Sequence, residues 1–295
     1  MKLRRDIKRR IINKNKKRKF MNLYKTPKEI LQELIKKPLI KQRTQEWFKL
    51  RENRLTASDL YDAVKNPLSL AKRKIKGNSF NSSGIPALKW GVMFEPLAIQ
   101  IYSHLYKTKI HEFGLIINDD INNFGASPDG ITDEGIMIEI KCPYSRKIIS
   151  DKIPDKYQYQ IQGQLAVCKL EDCDYIECEF IEYKTEDEYL SAMIDDGEDY
   201  KHGIIAELKI NGDYEYKYST KNQTKEENLK EMNKYKIDGY NLIYWYLKLI
   251  NVQRVTFNKN KWDTEIADKI VEFIEIYKQE KINSNPLNQF INDDD

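Results

Sequence analysis

Apolar positions along the chain alternate between a helical and a strand period, and the alternation predicts the order of elements. Residues 26–36 carry Ile30, Leu31, Leu34 and Ile35 at helical spacing behind a Thr26-Pro27 start signal. Trp47, Phe48 and Leu50 predict a second helix over 43–51, and residues 54–59 open a third, with Thr56 or Ser58 as its cap. Residues 72–84 are polar, basic and rich in Gly and Ser, the composition of a loop. A long helix follows over 86–106, with Leu88, Val92, Leu97, Ile101 and Leu105 on one face. Strand character appears at 113–118 and again in the run Ile136-Met137-Ile138-Glu139-Ile140-Lys141, before a helix over 154–170. Residues 175–183 alternate as a strand, and 203–210 and 214–218 read as a hairpin about Asn211-Gly212. A polar stretch (219–236), an apolar buried element (240–250) and an amphipathic helix (262–281) complete the pattern. The expectation is an α/β fold, a mixed sheet flanked by helices. Three regions are expected: a flexible arm over 1–24, a core over 25–220 and a mostly helical extension over 221–295 packed on it.

The most informative stretch is 124–144. It places Asp129 in a Pro-Asp-Gly turn and sets Glu139 and Lys141 in an apolar strand. Strand alternation points Glu139 and Lys141 to one face and Ile138 and Ile140 to the other. A hairpin from Gly130 to Gly135 would bring Asp129 alongside Glu139. Carboxylates and an ammonium among apolar neighbours are costly to bury unless something binds them. With Glu95, which sits in the apolar segment of the long helix, they form a candidate site for a hard divalent cation such as Mg²⁺. Such a cation can polarise a phosphodiester, and a nearby lysine can orient water or stabilise developing charge. On the helix over 154–170, Gln160 and Gln164 share one face at i, i+4.

Composition narrows the classes. The 295 residues are 40% hydrophobic and 33% charged, and no run is apolar enough to span a membrane. Four cysteines form no CxxC pair and histidines number three, which argues against a zinc site and against histidine-based nuclease chemistry. Unpaired thiols and the lack of an apolar secretory leader lead us to expect an intracellular protein, in the cytoplasm or at a viral replication site. The formal charge of +4 is uneven, because residues 1–20 hold eleven Lys/Arg against one Asp and leave the remainder at about −6. The basic arm could hold DNA phosphates or act as a nuclear-targeting signal.

Several segments together carry a family resemblance: Arg51-Glu-Asn-Arg-Leu-Thr-Ala-Ser58, Leu88-Lys-Trp-Gly-Val-Met-Phe-Glu95, Ala126-Ser-Pro-Asp-Gly130, Glu139-Ile-Lys-Cys-Pro143 and Tyr157-Gln-Tyr-Gln-Ile-Gln-Gly-Gln164. In this order they resemble the PD-(D/E)xK nuclease superfamily, in particular the lambda-type phage exonucleases and YqaJ-like viral recombinases. The resemblance implies a restriction-endonuclease-like core and a Mg²⁺-dependent DNA exonuclease, with Mn²⁺ as a substitute. It further implies that Asp129, Glu139, the Ile140 carbonyl and Glu95 (directly or through water) hold metal. Lys141 would position or activate the attacking water, Gln160 would support the water or the scissile phosphate, and Tyr157 would brace their helix. Arg51 and Ser58 match positions that bind a terminal 5′-phosphate, and Ser127 is a candidate to join them. Arg146 lies one residue short of the expected spacing for a further phosphate-binding arginine. The implied partners are double-stranded DNA ends, a single-strand annealing protein and further copies of the chain. Endonuclease action on the same scaffold and a non-catalytic DNA-binding role are the competing readings.

Overall fold

The computed structural model describes residues 25–77, 85–195 and 197–284; the basic arm lies outside these. Helix α1 (Pro27–Ile35) begins in a capping box, in which the Thr26 hydroxyl accepts from the Glu29 N–H and the Glu29 carboxylate accepts from the Thr26 N–H. Helix α2 (Gln45–Glu52) is followed by a two-residue strand β1 (Leu55–Thr56), a 3₁₀ turn (Ala57–Asp59) and α3 (Leu60–Lys65). Neither the turn nor α3 has a side-chain cap, and the Thr56 and Ser58 hydroxyls turn toward Arg51 instead. The loop expected over 72–84 begins later: α4 (Pro67–Lys76) runs through 72–76, and 78–84 lie outside the described residues. Its basic residues form the outer side of a helix that buries Leu70 and Ala71, so a polar run alone misplaced the boundary. Helix α5 (Pro86–Tyr106) matches the predicted span.

Seven strands lie side by side: β2 (Ile110–His111), β5 (Gly130–Thr132), β6 (Met137–Lys141), β7 (Asp172–Glu182), β10 (Asn241–Thr256), β8 (His202–Ile210) and β9 (Asp213–Tyr218). The sheet is mixed. β6 and β7 run parallel, joined by α6 (Asp155–Cys168), whereas the other neighbours are antiparallel. A small second sheet holds β1, β4 (Phe124–Ala126) and β3 (Ile116–Ile117). The β8–β9 turn at Asn211-Gly212 has φ of 52° and 93°, the left-handed pair that a tight hairpin needs. Helix α7 (Glu186–Ser191) is met by α8 (Lys225–Ile237), the first element beyond residue 220, which opens with a second capping box. The chain then lays the 16-residue β10 into the middle of the sheet, and a final helix, α9 (Ala267–Asn283), crosses α4. The extension is therefore helical at both ends with a sheet strand between, because its Tyr240-to-Ile250 run is apolar on both faces.

Both sheet faces are covered. Met137, Tyr175, Ile161 and Leu165 share one core with the α1 and α9 residues Leu31 and Phe273. Ile138, Ile140 and Ile176 share another with Phe94 and Leu97 of α5. Strand β6 thus gives its two faces to two cores, as does its neighbour β7. Among the described residues no helix is long and apolar enough to cross a membrane. All four cysteines are free and buried.

One buried group sets an acid limit on stability. His202 is 5% exposed with neither ring nitrogen partnered, and burial, aided by Lys225, pulls it down to about 4. Its folded value lies below its unfolded one, so stability is complete above about pH 6.5 and is lost as pH falls toward 4. Between neutral pH and pH 5 the loss is about 2 kcal/mol. Urea unfolding at the two pH values should show it, and His202→Phe should shrink it.

Candidate active site

Strand pairing brings the hairpin carboxylates together. Gly130 faces Ile138 across β5 and β6, so Asp129 ends one strand beside Glu139 on the other. The Ile140 N–H donates to Asp129 Oδ2 at 2.6 Å, which fixes the aspartate against the edge of β6. Glu139 is fully buried. Its Oε1 accepts from Lys141 Nζ and from Gln160 Nε2 (2.7 Å), and its Oε2 accepts from Gln164 Nε2 (2.7 Å). The i, i+4 glutamines of α6 therefore grip both oxygens of one carboxylate, a role the sequence reading assigned to neither. Burial, then the Glu139 and Glu95 charges, push the Asp129 carboxyl well above the ordinary range. Burial opposes the charge on Lys141, but Glu139 and Asp129 outweigh it and hold the ammonium above its ordinary value. The Tyr157 ring lies 5.0 Å from Lys141 Nζ, a cation–π contact.

Helix α6 reaches this position through a close approach. A Cβ on Gly163 would lie 2.7 Å from Leu60 Cδ2 and 3.2 Å from Ala57 Cβ, so a larger residue there would crowd α6 against α3 and the 3₁₀ turn. That turn carries the second half of the site. Arg51 Nη2 lies 3.4 Å from Thr56 Oγ1 and 3.3 Å from Ser58 Oγ, and the two hydroxyls are 2.9 Å apart. The Trp47 ring stacks on the guanidinium at 4.1 Å, while its Nε1 donates to Ser127 Oγ at 3.0 Å. Burial lowers the Arg51 value, with Asp59 opposing. Asp59 is itself met by Lys74 at 3.3 Å. The result is a guanidinium bordered by hydroxyls and walled by an indole, suited to a tetrahedral anion. Arg51 and Ser58 lie together, and Trp47 links them to Ser127. Trp47 and Thr56 join them unforeseen, although Trp47 stands at i, i+4 from Arg51 on α2.

Glu95 lies near enough for its charge to act on Asp129, but its carboxylate is engaged elsewhere. Its Oε2 accepts from Arg43 Nη2 at 2.8 Å, and Arg43 sits in the left-handed region at φ 66°. No local pattern flags that pair, because its members are 52 residues apart. Arg146 packs 5.9 Å from the Tyr157 ring and donates to Glu177, a fully buried carboxylate that also accepts from Tyr175 OH at 3.0 Å.

Among the described residues, no three His, Cys, Asp or Glu side chains converge into a ready-made metal cluster. A hard cation does not need one: Mg²⁺ is commonly held by one or two carboxylates, with water and substrate phosphate completing its shell. Asp129 and Glu139 supply that pair. The strain on Asp129, whose carboxyl is raised by burial and two like charges, is the kind that a divalent cation relieves. The donor set thus fits a cation at Asp129 and Glu139, with Glu95 turned toward Arg43.

Pro128-Asp129 and Glu139-Ile140-Lys141 lie on a mixed sheet between helices, the placement expected from the resemblance to PD-(D/E)xK nucleases. Residues 46–171 match the family model of the YqaJ-like viral recombinase domain. The chain is also 24% identical to "Uncharacterized protein R354" of Acanthamoeba polyphaga mimivirus over 91% of its own length, and spans 63% of the length of that curated relative. Its fold is similar to that of an alkaline exonuclease (LHK-Exo) from Laribacter hongkongensis, with a TM-score of 0.50 and 20% identity over 81% of this chain and 95% of that one. This shared fold agrees with the expected α/β class.

Proposed function

We propose that the protein is a Mg²⁺-dependent deoxyribonuclease that degrades duplex DNA from its ends, 5′ to 3′, in viral DNA recombination or repair. The observation that carries this reading is the joining of two subsites by Ser127-Pro128-Asp129. An anion pocket around Arg51 meets the carboxylate–lysine centre through three consecutive residues. The recombinase-domain match and the exonuclease-like fold support it.

In this reading the terminal 5′-phosphate rests on Arg51, Ser58, Thr56 and Ser127. The scissile phosphate lies over Asp129 and Glu139, where a bound divalent cation supplies Lewis acidity. Lys141, kept as an ammonium by its carboxylate neighbours, suits charge stabilisation and the orientation of water rather than proton abstraction. Gln160 and Gln164 keep Glu139 in one rotamer, and Tyr157 shields Lys141 from solvent. Arg146, tethered to Glu177, would meet a neighbouring phosphate. A single-strand annealing protein would take up the strand left behind, and further copies of the chain could encircle the duplex.

The test is digestion, with Mg²⁺, of linear duplex labelled at one end or the other, with and without 5′-phosphate, beside a covalently closed circle. Phosphorylated linear duplex should disappear fastest and the circle should persist. Robust cutting of the circle would overturn the reading in favour of an endonuclease. Arg51→Ala should slow digestion of 5′-phosphorylated ends about 10- to 100-fold, the worth of one charge-assisted contact, and should leave 5′-hydroxyl ends near the wild-type rate.

A further inference from the structure

A cavity of about 220 Å³, separate from the carboxylate centre, lies where the end of α2 meets α9. Four cations line it, Arg54, Lys74, Lys278 and Lys281, together with Asn53 and Tyr277, and no carboxylate does. This runs against the charge of the molecule, since the chain beyond residue 20 is net acidic. The cations come from distant parts of the sequence. Arg54 and Lys74 flank the region after α2, while Tyr277, Lys278 and Lys281 share one face of α9 at i, i+1 and i+4.

The wall is partly built and partly unsatisfied. Asn53 Oδ1 accepts from Lys281 Nζ at 2.8 Å and stands 3.5 Å from Tyr277 OH, which ties α9 to the α2 terminus. Arg54 Nη1 donates to the Leu50 carbonyl at 2.6 Å, but its Nε is buried without a protein partner. A buried donor of this kind is satisfied by a water or by a ligand oxygen. Lys74 reaches Asp59, and Lys278 pairs with Glu275 on the helix exterior, so both ammonium groups can be shared with an incoming anion.

We infer that this cavity binds a nucleotide phosphate outside the catalytic cleft. Its charge suits an anion, its volume suits one sugar-phosphate unit, and Tyr277 offers an aromatic wall beside the cations. The same chemistry is carried by a backbone phosphate of the DNA and by a released mononucleotide. The assignment to DNA rests on the nuclease reading above.

The experiment compares the full-length chain with Lys278→Ala/Lys281→Ala and with the charge reversal Lys278→Glu/Lys281→Glu. Both lysines sit on the outer side of α9, half exposed in the case of Lys278, so thermal melting should confirm intact folding. Affinity is read by anisotropy with labelled duplex in Ca²⁺ over a series of salt concentrations, and by titration calorimetry with dAMP. For a backbone contact the alanine pair weakens duplex binding about tenfold and flattens the log K against log salt slope by about 1–2. The loss is the same with and without a 5′-phosphate, which separates this cavity from the Arg51 pocket. Loss of dAMP binding with duplex binding intact assigns the site to a free mononucleotide. Unchanged affinity for both overturns the inference. A wild type that cuts linear duplex while the variants bind like wild type sinks the cavity alone. A wild type that cuts no DNA while the variants lose affinity sinks the nuclease reading alone.

Discussion

Glu139→Ala is expected to abolish hydrolysis, by about 10³-fold or more, and to cost about 3–5 kcal/mol of stability, the usual consequence of removing one partner from a buried ion pair. Both effects have one origin. The carboxylate is fully buried and takes hydrogen bonds from Lys141, Gln160 and Gln164. Without it the Lys141 ammonium loses its main counter-charge and two glutamine amides lose their acceptor. Glu139→Gln keeps the volume but sets its own amide against those of α6, so it should be equally inactive and less destabilised. Duplex binding in Ca²⁺, read by anisotropy, should survive in the glutamine variant, since the Arg51 pocket is untouched. A glutamine variant that still hydrolyses DNA with Mg²⁺ would remove Glu139 from the chemistry.

Asp129→Asn should have the opposite effect on stability with the same effect on activity. In the metal-free protein the Asp129 carboxyl is raised by burial and by Glu139 and Glu95. A carboxyl raised in the folded state lowers stability above its unfolded value, and the penalty fades as pH falls below that value. Asparagine removes the charge and can still accept from the Ile140 N–H. At pH 7 without metal its Tm should rise by about 2–4 °C, the shift that about 1 kcal/mol brings in a chain of this size. Adding Mg²⁺ should raise the Tm of the wild type, since a ligand that binds only the folded state stabilises it, and should leave the variant unmoved. A variant less stable than wild type in EDTA would show that the aspartate is not strained.

These residues also show how far the sequence reaches. The hairpin that sets Asp129 beside Glu139 is a local matter of a Pro-Asp-Gly turn and strand alternation, and its register follows from both. The grip of Gln160 and Gln164 on Glu139 was half legible, because i, i+4 spacing names the shared face but not what it meets. Arg43 was not legible: its pairing with Glu95 depends on a left-handed residue and on how α5 lies against the segment before α2. Strand β10 marks the same boundary at a larger scale. Its apolar run announces burial, yet its place between β7 and β8 depends on pairings across 60 or more residues to β7. The α4 boundary failed for a simpler reason, since a basic helix exterior and a loop share one composition.

The contact at Gly163 has a consequence for product size. By letting α6 touch the turn that carries Ser58, it fixes how far the pocket for a chain end lies from the residues that would cut. Two hydrogen-bonded links, Trp47 to Ser127 and Ile140 to Asp129, hold the same span from the other side. If the proposed activity holds, this packing would act as a ruler in the backbone. The length of the fragment released would then be a property of close packing between a helix and a turn, independent of the sequence of the DNA.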